Sequence, residues 1–468
     1  MEQQGGGGIS GDRLRERLEQ IREVYLADRR PWILGYSGGK DSTTALQLVW
    51  SALAELPEEQ RQKRVYVISS DTLVETPKIV DFIDSSLDRM NQAAQEQGMP
   101  ISAHKVEPEV NDSFWVNLLG RGYPAPSNTF RWCTERLKID PANKFILDRA
   151  AEHGEVVVIL GVRRAESTTR AQVMKLHRIK GTELSRHTTL PNAYVYTPVE
   201  DFSVDDVWTY LLQWPSPWGN NNRDLVTLYR NAQDGECPLV VDTTTPSCGN
   251  SRFGCWVCTV VARDKSMEAM IDNGEDWMEP LLDFRDLLAE TQDPARKAEV
   301  RRLKRRNGKV MKKTDGNDYI RGPYRFEFRQ ELLRRLLQTQ KKIRSEGPNP
   351  RETLIQDAEL KAIRRLWRAE EQDWDDSLPK IYEEETGEKL TWVGTETASF
   401  GSAERQLLDQ ACAENDVTST LVAKLIDTEK QFSNMSRRSA IFQKLSSVLD
   451  EEWRTEEEIL STLDEDKP

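Results

Sequence analysis

Short apolar runs alternate with amphipathic stretches through the first part of the chain. The runs at 33–36, 65–70, 101–107 and 155–162 have the length and apolar content of buried strands. After the first run, four apolar residues recur at the spacing of one buried helix face: Ala45, Leu46, Val49 and Leu53. Strands that alternate with helices predict an α/β fold, a Rossmann-like doubly wound parallel sheet with helices on both faces. In such sheets, ligands bind beyond the carboxyl ends of the strands.

The remainder of the chain predicts an appended helical region. One predicted helix face carries Leu281, Leu282, Phe284, Leu287 and Leu288, and another carries Leu360, Ile363, Leu366 and Trp367. A Gly- and Thr-rich break near 386–402 precedes a charged C-terminal segment. We therefore predict four parts: an α/β domain at 10–235, a cysteine-rich segment at 236–262, a helical region with a basic run at 263–385, and a linker with an acidic helical segment at 386–468.

Composition limits the classes of protein to consider. Of the 468 residues, 31% are charged, and the mean hydropathy is −0.66. No apolar run approaches the length that spans a bilayer, and the first residues lack a basic-then-apolar signal pattern. We expect a cytoplasmic protein that does not enter the membrane. A net charge of −13 argues against attraction of the whole surface to nucleic acid, although it permits a local basic groove.

A candidate phosphate-binding loop follows the first apolar run, where the chain reads Ser37, Gly38, Gly39, Lys40, Asp41 and Ser42. A strand that ends in glycines and restarts as a helix brings backbone N–H groups and the positive end of the helix dipole to one point. Glycine also lets the backbone approach a phosphate closely because it has no Cβ. The order of residues differs from that of a Walker A loop. The alternative is a glycine-rich turn that binds nothing.

Four of the six cysteines crowd into one segment with the spacing C-x10-C-x6-C-x2-C: Cys237, Cys248, Cys255 and Cys258. In a cytosolic protein such cysteines are metal ligands or reactive thiols more often than disulfides. Four thiolates suit zinc or an iron–sulfur cluster. The unequal gaps and the apolar residues around Trp256 favour a 4Fe-4S cluster. A redox dithiol at Cys255 and Cys258, or four unrelated buried thiols, are the alternatives.

The other two cysteines lie outside this segment. Cys133 is followed and preceded by basic residues, Arg131, Arg136 and Lys138, and nearby cations favour a nucleophilic thiolate. Such a thiolate can carry a persulfide sulfur, and the alternative is a buried structural cysteine at a helix start. Cys412 lies in a predicted helix and is interpreted as a packing residue.

A basic run between 296 and 313 stands out in this acidic protein, and its centre is Arg301, Arg302, Arg305 and Arg306. Clustered Lys and Arg side chains attract a DNA backbone. The run equally suits a solvated helix face that balances the acidic tail. Both interpretations stay open on the sequence.

Several motifs together resemble those of a known superfamily. The loop at Ser37 resembles the PP-loop of ATP pyrophosphatases, which include sulfonucleotide reductases, tRNA thiolases and the DndC proteins of DNA phosphorothioation. Cys133, Thr134, Lys138 and Pro141 match the Cys-Thr-x-x-x-Lys-x-x-Pro motif of the sulfonucleotide reductase branch. The acidic loop at 71–77 and the sequence at 161–167, with Arg170 beyond it, resemble two further motifs of that branch.

Two features distinguish the branches of this superfamily. Sulfonucleotide reductases end in a cysteine-bearing tail, whereas no cysteine follows Cys412 here. The segment at 248–267 resembles the cluster region of DndC, and so does the sequence at 321–324. Over residues 10–385 the chain is therefore identified as a member of the DndC family.

This resemblance implies an ATP-dependent sulfurtransferase that adenylylates a DNA backbone phosphate before sulfur is inserted. The implied ATP-binding residues are Ser37, Gly38, Gly39, Lys40, Asp41, Ser42, Asp71 and Gly161, and the implied catalytic residues are Cys133, Asp41, Arg163 and Arg164. The implied cofactors are ATP, Mg²⁺ and a 4Fe-4S cluster on Cys237, Cys248, Cys255 and Cys258. DNA would contact Arg301, Arg302, Arg305 and Arg306.

The resemblance also implies partners: a cysteine desulfurase as sulfur donor, DndD/DndE-type DNA-handling proteins, and DNA itself. Two other classes of function stay open. One is a PAPS or APS reductase-like or tRNA-thiolating PP-loop enzyme. The other is a nucleotide-gated scaffold that binds ATP without turnover.

Overall fold

The computed structural model describes residues 9–166, 176–231, 254–314, 318–393, 401–415, 417–433 and 440–465. It confirms the α/β fold class and the appended helical region. The chain divides into two compact units. The first comprises Met1–Asp112 and Pro126–Leu282, and the second comprises Ser113–Ala125 and Asp283–Pro468. The four-part boundaries inferred from the sequence stay predictions.

One mixed sheet forms the centre of the first unit. Within the described residues its strands are β1 (Trp32–Gly35), β2 (Val65–Ser70), β3 (Ile101–Val106), β4 (Val156–Ile159), β5 (Ser185–Arg186) and β6 (Ala193–Tyr196). Their order in the sheet is β3-β2-β1-β4-β6-β5. All neighbouring strands are parallel except β5, which pairs antiparallel with β6. All four strands predicted from the apolar runs are confirmed, whereas β5 and β6 were not predicted.

The helices of the first unit cover both faces of this sheet. They are α1 (Gly11–Leu26), α2 (Lys40–Ala54), α3 (Pro77–Glu96), α4 (Trp132–Thr134), α5 (Asp140–His153), α6 (Val204–Gln213), α7 (Asn222–Asn231) and α8 (Lys265–Asp272). On β1, Leu34 packs into the apolar cluster that includes α1, α2 and α3. Its neighbour Ile33 packs into a second cluster with Ala142 and Ile146 of α5. Successive residues of a strand face opposite sides, so β1 is buried on both faces of the sheet.

The sheet reverses its order between β1 and β4. From β1 the chain adds β2 and β3 on one side, then returns to place β4 on the other side. A crevice opens beyond the carboxyl ends of strands at such a reversal, because their loops leave in opposite directions. The candidate phosphate loop follows β1, and the segment that begins at Gly161 follows β4. Both therefore lie at the point where the fold class places a ligand.

The second unit is helical. The helices that follow in the chain are α9 (Glu279–Glu290), α10 (Pro294–Val300), α11 (Phe326–Glu346), α12 (Asp357–Glu370), α13 (Ser377–Thr386), α14 (Ser402–Glu414), α15 (Ser419–Ser433), α16 (Ile441–Leu449) and α17 (Glu456–Glu465). Two buried tryptophans tie the segment 113–125 into this unit. Trp115 Nε1 donates to the carbonyl of Leu354 at 2.6 Å, and Trp367 Nε1 donates to the carbonyl of Leu119 at 2.8 Å.

A buried carboxyl in α12 makes the stability of the second unit depend on pH. Glu359 accepts from the backbone N–H of Gln356 at 2.9 Å, and burial raises its pKa from 4.5 to about 6. Between these two values the folded state binds more protons than the unfolded state, so the free energy of unfolding falls as the pH rises through this window. Glu359→Gln keeps an acceptor for Gln356 and removes the titration.

We expect the free energy of unfolding of Glu359→Gln, relative to that of the natural protein, to rise by about 2 kcal/mol between pH 4 and pH 7. The figure follows from the 1.36 kcal/mol that each pKa unit represents. Urea unfolding at both pH values measures this difference. The same stability difference at both values would show that the carboxyl does not titrate in this window.

Among the described residues, no helix is both long enough and apolar enough to cross a membrane.

Candidate active site

The phosphate loop between β1 and α2 is closed by its own hydroxyl groups. The backbone N–H of Ser37 donates to Ser42 Oγ at 3.2 Å, and the N–H of Gly39 lies 3.4 Å from Ser37 Oγ. The two hydroxyls are 3.1 Å apart, and Ser42 Oγ donates to the carbonyl of Gly39 at 3.0 Å. Because α2 begins at Lys40, its first backbone N–H groups face the loop. The loop thus gathers the donors that bind an anion.

Gly38 shapes the loop against α3. Its φ of +71° lies in the left-handed region, which a side chain rarely adopts. A Cβ on Gly38 would lie 2.7 Å from Ile83 Cδ1 and 3.2 Å from Phe82 Cε1. The apolar side chains of α3 therefore press directly on the loop backbone, and only glycine fits between them.

Asp41 holds two cations in the interior. Arg163 Nε donates to Asp41 Oδ1 at 2.6 Å, and Lys40 Nζ lies 2.9 Å from Oδ2. The side chains of Asp41 and Arg163 are 2% and 4% exposed. A buried ion pair of this kind is costly to break, because each partner left alone is an uncompensated charge. Asp41 therefore ties the start of α2 to the segment after β4.

Gly161 makes that link close. A Cβ on Gly161 would lie 2.6 Å from the carbonyl carbon and oxygen of Asp41 and 2.7 Å from the backbone nitrogen of Ser42. These neighbours are backbone atoms, which cannot turn away as a side chain can. The segment after β4 thus touches the phosphate loop at a distance that excludes any side chain.

Arg164 and Asp71 each contact groups outside the phosphate loop. Arg164 Nε donates to Glu200 Oε1 at 2.6 Å, and its side chain is 52% exposed. Asp71, which follows β2, accepts from the backbone N–H of Leu73 at 2.8 Å and lies 3.3 Å from Lys105 Nζ. Arg163, in contrast, is buried at the loop. Arg163 is therefore buried beside Asp41, whereas Arg164 is half-exposed beside Glu200.

Cys255 contacts the loop that follows β2. A backbone bridge joins Cys255 to Glu75, and the N–H of Trp256 donates to the carbonyl of Val74 at 2.9 Å. The Cys255 sulfur lies 3.3 Å from Thr72 Oγ1. The N–H of Cys258 donates to the carbonyl of Cys255 at 3.0 Å, which closes a tight turn between the two cysteines. The Cys-x-x-Cys pair is thus fixed next to the sheet.

The pKa of the Cys255 thiol depends on burial and on two nearby charged groups. Burial, reinforced by the Glu75 carboxylate, raises the pKa of the Cys255 thiol well above its ordinary value, and the cation of Lys138 opposes this. Burial likewise raises the pKa of Glu75, again opposed by Lys138. Lys138 is buried and follows Cys133 in the same helical segment, which runs from α4 through 135–139. The Cys133 motif therefore brings its lysine to the Cys255 region.

Half of the predicted cluster ligands can be placed. Cys255 and Cys258 are described, whereas Cys237 and Cys248, like Ser167 and Arg170 of the motif after β4, lie outside the described residues. No three His, Cys, Asp or Glu side chains in the described ranges are arranged to hold a metal ion. The donor chemistry of the two placed thiols, next to each other in one turn, fits a thiolate-bound metal. The 4Fe-4S cluster stays a prediction.

The basic run lies in the second unit and makes many intramolecular contacts. Arg301 donates to the carbonyls of Gly322 and Arg321 at 2.7 and 2.6 Å. Arg302 pairs with Glu371, and Arg306 lies 3.1 Å from Glu370. These residues form a loop, not a helix face. These contacts engage the side chains that DNA binding would require. The DNA-binding prediction stays untested.

Three residues of the site were not identified as functional from the sequence. Thr72 and Glu75 belong to the acidic loop after β2, and Lys138 belongs to the Cys133 motif. Their motif membership was the available signal. Their joint position around Cys255 required the fold, because 180 residues separate Glu75 from Cys255.

Comparison with known proteins supports the superfamily. Residues 31–261 match the family model described as the phosphoadenosine phosphosulfate reductase domain. An uncharacterized protein of Methanocaldococcus jannaschii is 26% identical over 211 residues, which cover 45% of this chain and 37% of that relative. The chain therefore aligns with well under half of the length of this relative.

Two solved structures show similarity at low identity. The phosphoadenylyl-sulfate reductase of Candida auris, in a phosphate complex, is 14% identical, with a TM-score of 0.26 over 45% of this chain and 89% of that one. The U34-tRNA thiolase NcsA of Methanococcus maripaludis, solved with its 4Fe-4S cluster, is 11% identical, with a TM-score of 0.27 over 62% and 82% of the two chains.

The family match coincides with the sheet, the loop after β1 and the segment after β4. Residues 31–261 are thus similar in sequence to the phosphoadenosine phosphosulfate reductase domain.

Proposed function

We propose that this protein is a DndC-like ATP pyrophosphatase and sulfurtransferase that activates a DNA backbone phosphate for sulfur insertion. One observation carries the nucleotide part of the proposal. The phosphate loop and Arg163 meet at the reversal of strand order, joined through buried Asp41 at 2.6 Å. The sulfur part is supported by the thiol of Cys255 beside the same sheet. The resemblance of the cysteine-rich segment to DndC supports DNA as the substrate.

The chemistry explains why ATP is needed. A non-bridging phosphate oxygen is a poor leaving group, so it first attacks the α-phosphorus of ATP. The bond from the α-phosphorus to the bridging oxygen breaks, and pyrophosphate leaves. A sulfur nucleophile then attacks the backbone phosphorus, and AMP leaves with the original oxygen.

The residues of the loop have distinct roles in this proposal. The backbone N–H groups around Gly38 and Gly39 bind the pyrophosphate part of ATP. The amino-terminal end of α2, which lies at the loop, favours negative charge there. Lys40 and Arg163 offset the charge that develops as pyrophosphate leaves, a contribution that is large in a site without water. Arg164 can reach the phosphates only if it leaves Glu200. Mg²⁺, where bound, would help to offset the negative charge of the phosphates.

Cys133 is the proposed sulfur carrier. The terminal sulfur of a persulfide on Cys133 forms a bond to the backbone phosphorus. A second thiolate then breaks the sulfur–sulfur bond, which leaves a phosphorothioate on the DNA and a disulfide on the protein. The persulfide sulfur would come from a cysteine desulfurase. The four grouped cysteines would hold a 4Fe-4S cluster, which would supply structural support or sulfur transfer, and Cys255 and Cys258 would be two of its ligands.

The direct test supplies the purified full chain with ATP, duplex DNA, a cysteine desulfurase and cysteine under anaerobic conditions. Pyrophosphate release and phosphorothioate-linked dinucleotides, detected by mass spectrometry after digestion, are the two measurements. We expect both, and we expect Ser37→Ala to lose both. Ser85→Ala removes an exposed hydroxyl from α3 and serves as the matched control. Absence of phosphorothioate with intact pyrophosphate release would exclude DNA as the substrate.

A sulfonucleotide reductase is the second candidate, and the family match over residues 31–261 favours it. Such an enzyme releases sulfite from PAPS in the presence of a thiol reductant. The same protein preparation, supplied with PAPS and a thioredoxin system, decides between the two. Sulfite release without phosphorothioate formation would replace the DNA assignment.

The grouped cysteines give a prediction about metal content. We expect Cys255→Ser and Cys258→Ser each to lose most of the iron of the anaerobically purified protein, in which a 4Fe-4S site holds about four irons per chain. Cys412→Ser, which changes a buried cysteine of α14, is the matched control and should keep its iron. Iron and acid-labile sulfide analysis measures the result. Bound zinc in place of iron would contradict the cluster.

A further inference from the structure

The 450–465 segment packs on the basic run within the second unit. The backbone N–H of Glu452 donates to the carbonyl of Gly308 at 2.8 Å, and the Tyr319 hydroxyl donates to the carbonyl of Ile459 at 3.2 Å. Ile459 is buried in a small apolar cluster that also contains Tyr319. Backbone and apolar contacts therefore hold this segment, which contains α17, on the basic run and on the chain that follows it.

Two carboxylates of the segment contact groups that would suit a DNA phosphate. Glu456 Oε1 accepts from the backbone N–H of Leu303 at 3.2 Å, and its other oxygen pairs with Arg325. Glu451 lies 3.1 Å from Lys304 Nζ. Proteins bind DNA phosphates through the same kinds of donor, namely arginine, lysine and backbone N–H groups. These carboxylates therefore lie where phosphates could bind.

Glu451 fits closely against the basic run. Gly308 has a φ of +77°, and a Cβ there would collide with the Glu451 side chain. Glu451 also lies 2.8 Å from Lys424 Nζ. On Lys304, the ammonium nitrogen lies 4.0 Å from the centroid of the Trp453 ring. A carboxylate and an aromatic ring of the segment thus both contact Lys304, so a phosphate would compete with them for this lysine.

Part of the basic run keeps positive charge that no carboxylate balances. In the described ranges no carboxylate forms an ion pair with Arg305 or Lys309, and the N–H of Arg305 donates to the carbonyl of Lys309 at 2.8 Å. Burial lowers the pKa of Arg301, and the nearby cations of Arg305 and Arg321 also lower it. Closely spaced cations repel one another, so this turn favours a bound anion.

The carboxylates around the basic run differ in how firmly they are held. Glu371, which pairs with Arg302, also pairs with the fully buried Arg329 of α11. Breaking a buried ion pair is costly, so Glu371 stays in place. The ion pairs of Glu451 and Glu456 are partly exposed, and such pairs contribute little to stability. The 450–465 segment is therefore the part of this arrangement that an anion can displace.

We propose that the 450–465 segment occupies a DNA-binding surface of the second unit and that a DNA backbone displaces it. The surface consists of the backbone N–H of Leu303 and the side chains of Lys304, Arg305, Lys309 and Arg325. The choice of DNA as the polyanion rests on the proposed function, whereas the competition between charges does not depend on the sulfur chemistry. The segment thereby lowers the affinity of the natural protein for DNA.

The first test compares the affinity of full-length proteins for a short DNA duplex, measured by fluorescence anisotropy over a range of salt concentrations. Glu451→Gln combined with Glu456→Gln removes both negative charges and keeps a hydrogen-bond acceptor at each position. Asp450→Asn combined with Glu457→Gln is the matched control. It removes two exposed charges from the same segment, and neither forms an ion pair in the described ranges.

We expect the protein with Glu451→Gln and Glu456→Gln to bind the duplex about tenfold more tightly than the matched control, because a competing state is lost. Its affinity should also fall more steeply with salt, since fewer internal ion pairs are broken when DNA binds. Arg305→Gln combined with Lys309→Gln should weaken binding and reduce the salt slope by about 2.

A second test needs no substitution. Hydrogen exchange of the natural protein, followed by mass spectrometry, should become faster in peptides from 450–465 when the duplex is added. Peptides from α12 should keep their exchange rates, because the buried face of that helix is not displaced. Faster exchange confined to 450–465 would show that the segment leaves the surface.

Three results would overturn the inference. They are equal affinity of the Glu451→Gln, Glu456→Gln protein and its control, unchanged exchange in 450–465 with DNA bound, and binding that ignores Arg305→Gln with Lys309→Gln. In each case the natural protein binds DNA, and the proposed function stands. If none of the proteins binds the duplex, DNA as the substrate is contradicted, and the displacement with it.

Discussion

Asp41→Asn is expected to lower the free energy of unfolding by about 3–5 kcal/mol, the cost of removing one partner from a buried ion pair. The variant leaves Arg163 and Lys40 in the interior without the carboxylate that lies 2.6 and 2.9 Å from their nitrogens. Pyrophosphate release should be lost as well, because Arg163 no longer has a fixed position at the loop. Urea unfolding and a pyrophosphate assay on the same preparation measure the two effects.

A double variant separates stability from catalysis. Asp41→Asn combined with Arg163→Met removes both members of the pair and should regain much of the lost stability, but no pyrophosphate release. Lys144→Ala is the control for ion pairs in general, because Lys144 and Glu109 are both about two-thirds exposed and such solvated pairs contribute little to stability. An Asp41→Asn protein as stable as the natural one would show that the pair is not needed to hold the loop.

Gly161→Ala is expected to damage the site with a smaller effect on the whole fold. The added methyl would meet backbone atoms of Asp41 and Ser42 at 2.6–2.7 Å, so the segment after β4 or the start of α2 must move. We expect a loss of about 1–3 kcal/mol in stability from overpacking. A displacement approaching 1 Å at the phosphate loop should lower the rate of pyrophosphate release by on the order of 100-fold.

Gly11→Ala provides the comparison for this substitution. Gly11 begins α1, and a Cβ there would meet no heavy atom within 4 Å. Its stability and its rate of pyrophosphate release should match those of the natural protein. If Gly161→Ala releases pyrophosphate equally fast, the contact between the two segments does not position the loop.

The central strands could be predicted because their burial leaves a local signal. Strands β1 and β4 are buried on both faces, so nearly every residue in them is apolar and the runs stand out. The strand β6 was missed because two of its four residues are partly exposed, so it lacks the fully buried pattern of β1 and β4. The place of the segment 113–125 in the helical unit has no local signal either. It depends on Trp115 reaching Leu354, 239 residues away.

The candidate site divides in the same way. The candidate phosphate loop is predicted from six consecutive residues, because the chemistry of anion binding requires glycines and a helix start in that order. The pairing of Asp41 with Arg163 could not, since 122 residues separate them and the strand order of the sheet brings them together. The surroundings of Cys255 depend on the fold for the same reason. Motifs in the sequence can therefore predict which residues carry the chemistry, whereas the charged groups that lie next to them depend on the order of the strands.

The hydroxyl groups that close the phosphate loop also compete with a ligand for the N–H groups of the loop. Ser42 Oγ and Ser37 Oγ already stand where phosphate oxygens would accept from the loop backbone. Under the proposed function, an incoming nucleotide would replace internal acceptors as well as water, and the loop would need little ordering on binding. When pyrophosphate departs, the hydroxyls would accept from the same N–H groups again. A loop of this kind would bind the nucleotide less tightly and release the product faster.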